Sequence, residues 1–152
     1  MKKKKMIWAS ASLALILGIC TLIGIYWFSD RYVDYQRYSK IAQFITAHFP
    51  NVKPVTAMQD FPNYDVWIGT GTELEFDFRK NWEEIKVYGN DTIPVSILAL
   101  IPAEIPKYVA QHYNNAQITK ISKERLGYEI KLSERNIELK FNKNGQLIGI
   151  DD

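Results

Sequence analysis

The chain has 152 residues, 47% of them hydrophobic, with one Cys, two His and a formal charge of +2. That composition supports one ordinary globular region plus an apolar segment. The charge is local, because residues 1–29 hold Lys2 to Lys5 and no acid while the rest sets 15 basic against 17 acidic residues; nothing in this balance makes a nucleic-acid footprint.

After the lysines, Met6 to Phe28 runs without a charge. This is longer than the apolar part of a cleaved leader and predicts a membrane anchor over residues 6–28. Trp8 and Trp27 stand 19 residues apart, about 28 Å along a helix, which suits the two interfaces. The lysines hold the N-terminus in the cytoplasm, so the expected location is the inner membrane, single-pass, with the C-terminal part periplasmic. The alternative is a cleaved signal peptide, with Gly18-Ile19-Cys20 as a poor site. Cys20 reads as an apolar filler.

"IAQFITAHFPNVK", Ile41 to Lys53, comes round again as "IPKYVAQHYNNAQ", Ile105 to Gln117. At a constant offset of 64, Ile41, His48, Asn51 and Tyr64 meet Ile105, His112, Asn115 and Tyr128. One residue then enters a turn, and at an offset of 65 "TELEFD" lies on "IELKFN". Such self-similarity predicts two units of about 50 residues. In each, apolar residues at spacings of three and four predict a helix, and alternation then predicts four short strands. Gly69-Thr70-Gly71 and Asn144-Gly145 are turn signals. Alternation aims Tyr64, Val66, Ile68, Leu74 and Phe76 at the helix, as it does Tyr128, Ile130, Leu132, Ile137, Leu139 and Phe141. Units this small bury little apolar surface alone, so they are expected to pack as one body, with "KVYGNDTIPVSILAL" (86–100) as linker.

The predicted fold class is therefore α+β: an N-terminal transmembrane helix followed by two repeats, each a helix packed on a four-stranded antiparallel sheet. The predicted divisions are 1–29 (lysines and anchor), 30–89 (first repeat with its juxtamembrane segment) and 90–152 (linker and second repeat).

The polar strand faces differ between the repeats. Glu129, Lys131, Glu138 and Lys140 mix signs, so cross-strand pairs neutralise one another. The first repeat has Asp65, Trp67, Glu73 and Glu75 there, with Asp77 beyond: four acids around one tryptophan and no base at those positions. A rigid outward ring among carboxylates is a candidate docking surface for a cationic segment. Burial of Trp67 beneath other parts of the chain is the plainer reading. His48 and His112 read as helix-end residues, since no third His and no spare Cys completes a metal set. Glu73 and Glu75 are spaced like a glycosidase pair, but an open sheet does not offer the secluded environment a catalytic acid needs, and a solvated strand face explains them better. No catalytic residue, cofactor or metal is predicted.

The helix end "AQHYNNA", the strand "GYEIKL" and the terminal "IELKFNKNGQLIGIDD" resemble the PepSY-like, beta-lactamase-inhibitor-like family of exported bacterial proteins. The resemblance covers about residues 38–152, with Asn63-Tyr64-Asp65 a weaker copy of Gly127-Tyr128-Glu129. It implies a helix on a four-stranded antiparallel sheet in each repeat and a non-enzymatic role in binding or peptidase regulation. The expected function is thus a membrane-anchored envelope binding module that presents a sheet face to a protein or peptide. The alternative is an envelope sensor that binds a small ligand or cation through acids of the first repeat.

Overall fold

The computed structural model describes residues 31–69, 71–134 and 137–151. Nine strands form a single sheet whose order follows the chain, every neighbouring pair antiparallel. These are β1 (Arg31–Tyr32), β2 (Pro54–Asp60), β3 (Asn63–Ile68), β4 (Thr72–Phe76), β5 (Trp82–Val87), β6 (Ile118–Glu124), β7 (Gly127–Leu132), β8 (Glu138–Asn142) and β9 (Leu147–Asp151). Helix α1 (Ser39–His48) joins β1 to β2, while the short α2 (Val95–Leu98) and α3 (Glu104–His112) join β5 to β6.

One cross-strand row shows how the sheet is held. Ala57, Val66, Leu74, Ile85, Ile121, Ile130, Leu139 and Ile150 stand side by side from β2 to β9. All but the last are buried. They share one core with Ile41 and Ile45 of α1 and Ile105 and Val109 of α3. Phe44 meets Phe76 edge to face at 5.5 Å, as Tyr108 meets Phe141 at 5.6 Å. Each buried Val, Leu or Ile in the row contributes on the order of 1.5–3 kcal/mol by removing apolar surface from water.

This architecture corrects the expectation of two four-stranded sheets, each with its own helix. Separate sheets would leave β5 and β6 as bare edges and expose Ile85 and Ile121. Pairing Glu84 with Ser122, Ile85 with Ile121 and Lys86 with Lys120 makes one sheet and leaves both isoleucines at 0% exposure. The predicted membrane helix, residues 6–28, lies outside the described residues. Among the described residues no helix is long and apolar enough to cross a membrane. The segment read as a linker also does more than connect, because Val87, Ile93 and Ile97 are buried in the core.

Strand signals in the second half hold closely. Gly145, with φ +77°, makes the β8–β9 turn, which Asn142 ties by accepting from the amides of Asn144 and Gln146. Gly127 is required for another reason: a Cβ there would stand 1.9 Å from the Phe141 carbonyl oxygen.

Candidate functional site

Alternation turns one face of the sheet away from the helices, and that open face carries the predicted site. Asp65 and Trp67 on β3 stand opposite Glu75 and Glu73 on β4, all four partly buried. Thr56 is the neighbour of Trp67 on β2. The ring therefore forms part of a continuous surface and is not displayed alone.

Asp77 does another job. It follows β4 and accepts hydrogen bonds from the Asn81 amide at 2.7 Å and the Asn81 side chain at 2.9 Å, closing the β4–β5 turn. Burial works to raise its pKa, but these bonds and the nearby Arg79 charge hold it below the usual carboxylate value. Asp77 is thus a turn anchor at the border of the patch.

Glu75 and Glu73 are held in place. Asn63 donates to Glu75 at 2.7 Å, and the Tyr88 hydroxyl donates to Glu73 at 2.7 Å. On β5, Lys86 stands opposite Glu73 and Glu84 opposite Glu75. Ser122 donates to Glu84 at 2.6 Å, and Lys120 lies 3.8 Å from the same oxygen. Glu83, at the bulge between β4 and β5, has its pKa raised by burial first and then by the charges of Asp77 and Glu75. The acidic area consequently spans three strands, with Lys86 and Lys120 along its border. Glu83, Glu84, Lys86 and Tyr88 were not assigned to the site from sequence. Alternation alone could have placed Glu84 and Lys86 on this face, but their neighbours depend on the β4–β5 register.

The equivalent area of the second half is neutralised. Lys120 pairs with Glu129 at 2.9 Å, Lys131 with Glu138 at 3.3 Å, and Lys140 with Asp151. The two histidines stay apart from both areas and differ from each other. His112 lies on the Tyr108 ring at 4.1 Å, with Nδ1 3.0 Å from the Tyr108 carbonyl oxygen. His48 packs on Phe44 at 4.5 Å with Nδ1 buried and unpartnered, and burial lowers its pKa. Among the described residues no group of three or more His, Cys, Asp or Glu is placed to hold a metal ion.

Residues 62–149, more than half of the chain, match the family described as "Putative beta-lactamase-inhibitor-like, PepSY-like". The chain belongs to this family. No curated protein matches it. Solved structures match it over nearly their whole length. A crystal structure described as a "putative calcium-regulated periplasmic protein" of Bacteroides thetaiotaomicron is 37% identical, with 81% of this chain and 97% of that one covered at a TM-score of 0.71. A structure from Bacteroides vulgatus described as a "putative periplasmic protein" is 32% identical over 82% and 98% of the two chains, with a TM-score of 0.71. Another from the same organism, described as of unknown function, is 30% identical over 82% and 100%, with a TM-score of 0.70.

Proposed function

We propose that this PepSY-like chain is a non-enzymatic binding module of the periplasm that presents the open face of β3 to β5 to a protein or peptide partner. Supporting the location, similar solved structures are described as periplasmic. One observation carries the binding reading: the first half places Trp67 beside Glu73 in an area with Asp65, Glu75 and Glu83, whereas the second half cancels its charges in pairs. An aromatic ring and carboxylates already fixed by Asn63 and Tyr88 lose little entropy when a partner docks. The matching partner is an extended segment bearing Lys or Arg. The reading also takes the halves as a duplicated unit in which the first kept a binding surface. Regulation of a peptidase is an extension of the family resemblance.

The test is capture from an envelope extract with the full chain as bait, wild type against a Trp67→Ala, Glu75→Lys double variant whose fold is verified by circular dichroism. Loss of a specific partner in the folded variant is the expected outcome. Unchanged capture would move the function off this face.

A second reading, cation sensing by the same acids, is favoured by the description of the B. thetaiotaomicron structure as calcium-regulated. It requires carboxylates to gather round the ion. Calcium added to the purified chain would then raise its melting temperature, the stabilisation growing with the logarithm of ligand excess over Kd, and Glu75→Gln would remove the rise.

A further inference from the structure

The sheet's two edges are unequal. Beyond β2, the chain closes its own edge: Arg31 and Tyr32 pair with Gln59 and Met58, and the Val33 amide donates to the Ala57 carbonyl at 2.9 Å. Beyond β9 the described chain places nothing.

The β5–β6 seam shows what a strand at that second edge must look like. The β4–β5 and β8–β9 hairpins share one register: Leu74 opposes Ile85 and Leu139 opposes Ile150, and each pair of strands has its bulge just before Phe76 or Phe141. Ile150 is therefore the counterpart of Ile85. Ile85 is 0% exposed beneath Ile121 of β6, whereas Ile150 is 46% exposed. Ile148 of the same strand is exposed as well.

Charge selects the partner further. On the open face, Lys86 stands opposite Glu73, but its counterpart Asp151 stands opposite another acid, Glu138. Like charges directly opposed cost stability, and a cation in the next strand offsets that cost. Lys131 pairs with Glu138 and Lys140 with Asp151, so a cation in the next strand would join pairs already in place.

We propose that the β9 edge binds an extended basic segment of another protein, added antiparallel as a tenth strand, with a β-branched residue opposite Ile150 and a Lys or Arg opposite Asp151. Main-chain hydrogen bonds supply affinity and the alternate side chains supply register. This surface is distinct from the Trp67 face and stands whether or not that face binds.

The probe is the peptide ITKISKE, the sequence of β6 itself, titrated into the full 15N-labelled chain and compared with ITEISEE. Expected are amide shifts and slowed exchange confined to Leu147–Asp151. Binding should weaken by about tenfold or more for ITEISEE and for Ile150→Lys. Because a lysine at position 150 could disturb the fold, Asp151→Lys serves as second variant; it leaves Ile150 in place and should weaken ITKISKE several-fold while Trp67→Ala leaves it unchanged. Absence of β9 shifts, equal binding of ITEISEE, or shifts centred on β3 and β4 would each overturn the proposal. Protection of β9 that rises with protein concentration without peptide would overturn it too, by assigning the edge to a second copy.

Discussion

His48 and His112 occupy matching helix ends, yet only His48 has a buried, unpartnered Nδ1. Burial lowers its pKa from the ordinary 6.5, so the folded chain resists the proton that an unfolded chain accepts. As pH falls through 6.5, the unfolded state binds more protons and stability drops; the loss levels off once the folded pKa is passed. Replacing His48 with Phe, which keeps a ring against Phe44, should remove this component. Melting temperatures at about pH 7.5 and about pH 5 would therefore converge more in the variant than in the wild type. An identical drop in both would show that His48 does not titrate in this window. The sequence reading paired the two residues because it sees spacing. It does not see that the ring at position 112 finds a carbonyl oxygen while the ring at 48 does not.

At the scale of elements, β5 and β9 show how place in the sheet decides the worth of a residue. Ile85→Ala opens a cavity between β4 and β6 and should cost about 2–5 kcal/mol. Ile150→Ala removes a side chain already half in water and should cost about 1 kcal/mol or less. Urea unfolding of the two variants makes the comparison, and an equally large loss at Ile150 would mean that the edge is covered in solution. The strands themselves were legible, since GYEIKL and TELEF alternate cleanly and Asn144-Gly145 marks its turn. Alternation also put Asp65, Trp67, Glu73 and Glu75 on one face. What it does not encode is the partner across a long connection. The pairing of Glu84 with Ser122 spans the whole of residues 85–121, and Asp77 looked like a surface acid because the turn that consumes it is set by Asn81.

For the whole molecule, the β5–β6 seam determines whether the halves fold separately or together. Each half has its own helix and its own strands, which is why the sequence reads as two units. Ile85 and Ile121 nevertheless sit in mid-row, and each is buried by strands of both halves. Separating the halves would expose both residues and leave two unpaired strand edges, a penalty comparable with the margin of stability of a small domain. Folding should therefore be one cooperative event, with fluorescence from the tryptophans of the first half and amide exchange in β7 reporting the same midpoint. Ile121→Asp is the decisive variant, since it buries a carboxylate at the seam on a strand that does not pair with β3. We expect it to remove slow amide exchange from β3 as completely as from β7. Protection surviving in β3 alone would mean that the first half folds by itself and that the seam only docks two finished bodies.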